Sequence, residues 1–214
     1  MAEESKVGKV EKSAADPRMI PEWHQFYRNQ PVEGMPWYFE ALDPDLEGAL
    51  SRHGVTSGKA VDIGAGPGTQ AMALAERGYH VTGTDLAEAA VEGAAAKARE
   101  RGLAVEFKVD DILHTGLEGP FDFAFDRGCF HVLPVSARAD YVRIVAGLLR
   151  PGGYLFLKAF SRLQPGEIGP FRFSPDEIKS IFGGAFEILS IDETVYQGTF
   201  TPLPRALFSV LKRA

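Results

Sequence analysis

From residue 60 onward, short apolar runs alternate with stretches whose apolar positions recur at helical spacing, and glycines or prolines mark most of the boundaries. Ala60-Val-Asp-Ile63 reads as a brief buried strand that runs into a glycine turn. Thr69 to Arg77 follows as an alanine-rich helix ended by Gly78, and Tyr79 to Thr84 as a second strand ended by Asp85. Leu86 to Arg101 is a second helical stretch closed by Gly102. Val105 to Val109 and Phe121 to Phe125 supply the third and fourth strands. In Ser136 to Leu149 the apolar positions Tyr141, Ile144, Val145 and Leu148 predict a longer helix, stopped where Arg150-Pro-Gly-Gly153 imposes a turn. Tyr154 to Ala159 is a fifth strand. Ser174-Pro-Asp-Glu177 starts a helix, with a serine cap, proline in the first position and glutamate three residues after the cap. That helix ends at Gly183-Gly184, before strands at Phe186 to Glu193 and Leu207 to Leu211.

Strands alternating with helices in this way require parallel strands joined by crossovers, with helices on both faces. The predicted fold class is α/β. One core is the expectation, because 214 residues with 45% apolar content bury a substantial interior without metal or disulfide support. Residues 1 to 18 carry almost no large apolar side chains and are expected to form a flexible tail. Residues 19 to 214 then form a single domain. Its opening part, 19 to 50, places both tryptophans and several other aromatics ahead of any strand, as a lid edge or as ligand contacts, and Asp45 to His53 forms a short helix.

A net charge of −6 spread through the chain argues against nucleic acid, whose phosphates select clustered Lys and Arg. The lone Cys129 has neither a disulfide partner nor the Cys and His neighbours of a metal site, and reducing cytoplasm is the expected compartment. No stretch reaches the roughly 18 apolar residues of a membrane span. The five histidines fall in no recognised ligand spacing, so no metal is expected.

The strongest local signal for chemistry is Val61-Asp-Ile-Gly-Ala-Gly-Pro-Gly-Thr69 between a strand and a helix. Gly64, Gly66 and Gly68 allow a tight turn and close approach of a ligand, although several kinds of nucleotide loop share a glycine triplet. A pyrophosphate favours a free helix end, whereas here Asp62 enters the loop and Pro67 occupies it, which suits a cofactor with a positive group. Asp85, at the tip of the second strand, is placed for two ribose hydroxyls. Asp110-Asp111 closes the third strand where the amino group of an adenine can be held, with Ile112 against the ring. Singly, each aspartate is as readily a cap or a turn residue. The set points to one cofactor.

With these motifs the chain resembles the class I S-adenosylmethionine-dependent methyltransferases over about residues 55 to 195. Val61 to Thr69 matches the family's glycine loop, Asp85 its ribose-binding acid, Asp111 its adenine-side acid and Leu148-Leu-Arg-Pro-Gly-Gly-Tyr154 the turn before its fifth strand. The resemblance implies a Rossmann-like three-layer sandwich with a mostly parallel seven-stranded sheet and an antiparallel C-terminal hairpin. It implies S-adenosyl-L-methionine as cofactor, held by Asp62, Gly64, Ala65, Gly66, Asp85, Leu86, Asp110, Asp111, Ile112, Asp126 and Arg127. An NAD-linked dehydrogenase is the rival of the same fold group, disfavoured by the Pro-Gly-Gly turn and the strand order.

The Asp126-Arg-Gly128 sequence, with Trp23, Pro36-Trp37 and Gly169-Pro-Phe171, is similar to the branch of thiopurine, thiol or halide, and tellurite-resistance methyltransferases. That branch folds an aromatic amino-terminal segment over the cofactor, which here implicates Trp23, Tyr27 and Trp37. The pair continues as Pro-Trp-Tyr-Phe, where the branch often has an acidic residue.

Asp126 and His131 follow the fourth strand, where a doubly wound sheet opens its crevice, and are the candidate catalytic residues. His131 is a base for the acceptor or a crevice-wall histidine satisfied by backbone. Phe160, Arg162, Phe171 and Phe173 are candidates for a small substrate pocket, with Arg162 either selecting an anionic acceptor or solvated. The expected activity is methyl transfer to a small molecule, a thiol or other soft nucleophile first, with O- or N-methylation and a non-catalytic scaffold as alternatives. No nucleic-acid or membrane partner is expected, and the chain is expected to be a monomer or homodimer.

Overall fold

The computed structural model describes residues 22–166 and 169–214, so the expected tail over 1 to 18 lies outside the described residues. The sheet runs β3-β2-β1-β4-β5-β8-β7, built from β1 (Lys59–Ile63), β2 (His80–Asp85), β3 (Val105–Val109), β4 (Phe121–Asp126), β5 (Leu149–Ser161), β7 (Phe186–Val195) and β8 (Arg205–Arg213). The first five are parallel, and β8 runs antiparallel between β5 and β7. This is the expected seven-stranded path with its C-terminal hairpin. A two-residue strand, β6 (Arg172–Phe173), pairs with the end of β5 in addition.

Alternation along the central strands divides the interior. Ala124, Leu155 and Leu157 pack to one face with Tyr141, Val145 and Leu148 of α5 (Arg138–Leu148) and Ile178 and Phe182 of α6 (Pro175–Phe182). Phe123, Phe125 and Phe156 pack to the other with Leu46 and Leu50 of α2 (Pro44–Arg52) and Ala71 and Leu74 of α3 (Thr69–Ala75). Successive side chains of a strand point to opposite faces, so burial on both sides leaves only the strand ends for function. Between β1 and β4 the chain order reverses. The crevice of such a sheet opens there, beyond the carboxyl ends of the strands.

Several boundaries shift from the sequence pattern, and three of the shifts have a local structural counterpart. Arg150-Pro-Gly-Gly153 interrupts no strand: β5 begins at Leu149, and the register jumps from Phe121 paired with Leu149 to Phe123 paired with Tyr154, so the four residues bulge out. Ser136 lies in a 3-10 turn, Val135–Ala137, and α5 starts at Arg138. The second predicted helix begins two residues late, as α4 (Glu88–Glu100), because Asp85 turns back to accept the Ala87 N–H. The capping box of α6 forms as expected between Ser174 and Glu177.

Candidate functional site

The glycine loop leaves β1 and enters α3 with Gly64 and Gly66 at φ of +67° and +51°, a backbone region that side chains disfavour. A Cβ on Gly64 would lie 2.9 Å from Cβ of Cys129, and one on Gly66 would overlap the Tyr27 hydroxyl. That tyrosine comes from α1 (Trp23–Asn29), whose rings form a cluster with Trp37: Trp23 and Phe26 lie 5.7 and 5.5 Å from it, centroid to centroid. The expected aromatic segment is therefore brought onto the glycine loop. Trp37 lines a cavity of about 30 Å³ with Asp62, Gly64, Ala65, Gly66, Thr69, Gln70 and Arg127. A cavity of about 400 Å³ between His53, Arg150 and Lys212 lies at the other end of the sheet, remote from the loop.

Four carboxylates, Asp62, Asp85, Asp110 and Asp111, ring the carboxyl ends of β1, β2 and β3. Asp62 is 2% exposed and its Oδ2 accepts no hydrogen bond. Burial, reinforced by the Asp126 charge, raises its pKa to about 7. Asp85 ties the loop down: its Oδ2 accepts the Gly66 N–H and its Oδ1 the Ala87 N–H, each at 2.8 Å. Burial raises its pKa, and these N–H donors act against that shift. Asp111 is engaged by the Leu113 N–H and by His114 Nδ1, whereas Asp110 keeps a buried Oδ1 with no partner after accepting from Gly116. Ile112 packs into the core, and the exposed apolar side chains at this edge are Leu86 and Val109. Val109 was not among the predicted residues, because a valine that ends a strand carries no mark of exposure in the sequence.

At the end of β4 the arrangement corrects the expectation for Asp126. It is fully buried and accepts four hydrogen bonds, from the N–H groups of Gly128, Cys129 and Phe130 and from the Tyr141 hydroxyl at 2.5 Å. A carboxylate so occupied organises its loop and has no face left for an acceptor's proton. His131 is 6% exposed, its Nδ1 accepts the Phe160 N–H at 3.3 Å, and burial with the Arg127 charge lowers its pKa to about 3. The ring is neutral at physiological pH, with its proton assigned to Nε2. It matches the crevice-wall alternative, packed against Phe160 and Tyr196.

The other candidates separate. Phe160 lies at the crevice with His131 and Tyr196. Phe173 is 1% exposed and stacks on Phe130 in the core, so it lines no pocket. Arg162 is 61% exposed and paired with Glu177 on α6, which agrees with the solvated alternative. Phe171 is covered by the Arg138 guanidinium, 4.5 Å from its ring centre. Arg127 is turned to structure as well: it donates to Asp43, to the Trp37 carbonyl and to the Gln197 carbonyl.

Sequence reading missed a buried charge cluster beside this crevice. Lys158 of β5 is fully buried and donates to both oxygens of Asp43, at 2.8 and 2.7 Å, and to Oε1 of Gln197, while pairing with Asp45. Gln70 of α3 holds the same segment through Phe39, Ala41 and Asp43. Among the described residues no group of three or more His, Cys, Asp or Glu is arranged to hold a metal ion, and no helix is long and apolar enough to cross a membrane.

Residues 60–153 match the family described as a methyltransferase domain. A 2-heptyl-1-hydroxyquinolin-4(1H)-one methyltransferase of Mycobacteroides abscessus is 32% identical over 163 residues, covering 72% of this chain and 71% of its own. The chain belongs to the class I S-adenosylmethionine-dependent methyltransferases. A thiopurine S-methyltransferase of Legionella pneumophila is 28% identical over 65% of this chain and 71% of its own. A structure solved for the conversion of a disulfide bond into a thioacetal group during echinomycin biosynthesis superposes with a TM-score of 0.77 at 28% identity, over 89% of this chain and 90% of its own. S-adenosylmethionine is thus the methyltransferase's cofactor, and its acceptor is a small molecule. The site fits the cofactor on its own terms. Asp62 and Asp110 each keep a buried carboxylate oxygen without a partner, which suits a ligand that brings a cation and hydrogen-bond donors, and Leu86 and Val109 are exposed apolar side chains following β2 and ending β3.

Proposed function

We propose that the acceptor is a small, largely apolar molecule whose nucleophile is already soft or ionised at neutral pH, a thiolate foremost. The observation that carries this reading is that neither candidate base following β4 is usable: burial and the Arg127 charge lower the His131 pKa to about 3 with Nδ1 engaged, and both oxygens of Asp126 are taken by its own loop and by Tyr141. A thiolate brings its own electron pair and has no proton to lose, so the protein need only align it and exclude water.

The bound cofactor supplies a methyl group on a positively charged sulfur, released as that carbon–sulfur bond breaks and leaves its electron pair on the sulfur. Asp62 would take the ammonium of its amino-acid end, Asp85 the ribose hydroxyls, and Asp110 with Asp111 the adenine edge. From residue 22 to 50 the described part of the amino-terminal segment acts as the lid, with Trp23, Tyr27 and Trp37 screening the transfer. Tyr27 keeps its proton because burial and the Asp85 charge raise its pKa, so it serves as a donor. On the acceptor side, Phe160, Tyr196 and His131 form one wall, and exposed Leu163, Phe200 and Leu203 stand on two loops joined by the Arg205 N–H to Gln164. An acidic heteroaromatic hydroxyl is the second reading, favoured by the hydroxyquinolinone acceptor named for the Mycobacteroides relative.

Formation of S-adenosylhomocysteine is measured across thiols, thiopurines, selenide, halides, small phenols and N-hydroxy heteroaromatics. Turnover is expected with acceptors ionised at pH 7. Turnover confined to phenols or amines that stay protonated there would overturn the reading.

A further inference from the structure

Met35, Pro36 and Trp37 are gripped from the side opposite the glycine loop. The loop between β7 and β8 presses so closely on Pro36 that a Cβ on Gly198 would overlap the Pro36 carbonyl oxygen, with Trp37 Cα 3.5 Å away. The Thr199 N–H donates to that same carbonyl at 3.1 Å, and the Thr199 hydroxyl to the Met35 carbonyl. Arg127 spans the junction, one terminal nitrogen donating to Trp37 O at 3.0 Å and the other to Gln197 O at 2.5 Å. Beneath them, Lys158 joins the Gln197 side chain to Asp43, where the lid meets α2. The loop is closed at its base by the Tyr196 N–H on Pro204 O.

These contacts join the segment that covers the cofactor loop to the loop that carries Phe200 and Leu203, and Thr194 at the end of β7 adds a hydrogen bond to Asp45 at the lid base. We propose that the turn Gln197–Thr199 is a positioning latch: it holds Pro36–Trp37 in the closed place, so that the cofactor lid and the acceptor loop close as one body. The proposal rests on the lid reading given above. Its consequence is reciprocal coupling, since whatever orders one segment lowers the cost of ordering the other. Gly198 is the residue that permits the latch, Arg127 and Lys158 the residues that aim it.

The test is Gly198→Ala with S-adenosylhomocysteine as the probe. Gly198 does not lie in the left-handed region, so alanine is allowed by the backbone, and the three atoms nearest its methyl all belong to Pro36 and Trp37 of the lid. Calorimetry is expected to show about fivefold or greater weakening of binding, with the overlap lowering the unfolding midpoint by about 2–12 °C. Because Trp23 and Trp37 are the only tryptophans and both lie in the lid, their emission should shift to the red and respond less to the probe. Parent-like affinity together with parent-like emission in the folded variant would overturn the latch. Should the variant not fold, hydrogen exchange at the Thr199 amide of the parent decides: slowing by about tenfold or more on adding the probe supports the latch, and an unchanged rate overturns it. Absence of binding by the parent protein would instead remove the cofactor reading beneath the proposal, which the same calorimetry run detects.

Discussion

Replacing Asp62 by asparagine should make the protein more stable and a poorer binder of its cofactor at the same time. The side chain is 2% exposed, one of its oxygens has no partner, and its pKa rises from 3.8 to about 7 through burial first and the Asp126 charge second. A carboxyl whose pKa is raised on folding contributes its full stability below the unfolded pKa and loses it as pH rises through the folded value. Ionisation of Asp62 therefore costs stability between about pH 4 and pH 7, by about 4 kcal/mol when complete. Asparagine removes that cost but buries an NH2 without an acceptor, for about 1–3 kcal/mol. A net gain of about 1–3 kcal/mol at pH 8, shrinking toward pH 5, is expected from urea unfolding. Binding runs the other way. The ionised fraction of the free carboxyl climbs from about one tenth at pH 6 to about nine tenths at pH 8, so affinity for S-adenosylhomocysteine should rise about tenfold across that range in the parent. In the variant the pH dependence should vanish and affinity fall roughly 10- to 150-fold, the worth of one charge-assisted hydrogen bond. Calorimetry at pH 6, 7 and 8 decides. A parent affinity flat with pH, or an asparagine variant that binds as tightly, would refute the assignment of Asp62 to the ammonium.

The buried pair yields the next expectation. Lys158→Met leaves the fully buried Asp43 with Arg127 as its remaining cation and should cost about 1–3 kcal/mol in urea unfolding, and Asp43→Asn together with Lys158→Met should cost less than the sum of the two single changes; simple additivity would contradict the pairing. For His131, with a pKa near 3, the pH profile of kcat/KM between 6 and 8 should carry no inflection from this residue, and His131→Asn should lower kcat by less than about tenfold. A fall of a hundredfold or more, with an inflection lost, would restore it as a base.

The glycine loop and the acid beside it were legible as local structure because their information is local. Asp62, Gly64, Gly66 and Asp85 lie on one strand–turn–helix unit and the tip of the next strand, where strand periodicity and positive φ leave a direct mark in the residue types. The bulge at Arg150–Gly153 was not, since proline and paired glycines signal a departure from regular backbone without saying whether the strand stops or steps outward. The acceptor side was read less well for a different reason. Asp126, Arg127, Arg162 and Phe173 have types suited to catalysis and recognition, and the fold uses each for its own closure, with Tyr141, Asp43, Glu177 and Phe130 respectively. Which partner a polar side chain finds depends on contacts distant in sequence, and composition holds no record of them.

Lys158 shows what such a record would have needed. It stands inside Tyr154 to Ala159, a run read as a buried strand, and a lysine fully removed from water in such a strand must have a counter-charge. That argument predicts a partner without naming it, and Asp43 lies 115 residues away. Buried pairs return little net stability once desolvation is counted, so the pair's value to this fold lies in geometry. A hydrophobic contact at the same place would let the lid base slide on β5, whereas two oxygens of Asp43, one of Asp45 and the amide of Gln197 around one ammonium fix three segments at once. On the proposed reading, in which no general base assists, alignment carries the rate and a misplacement of about 1 Å can cost about 100-fold, so a lid base fixed by charge serves the transfer.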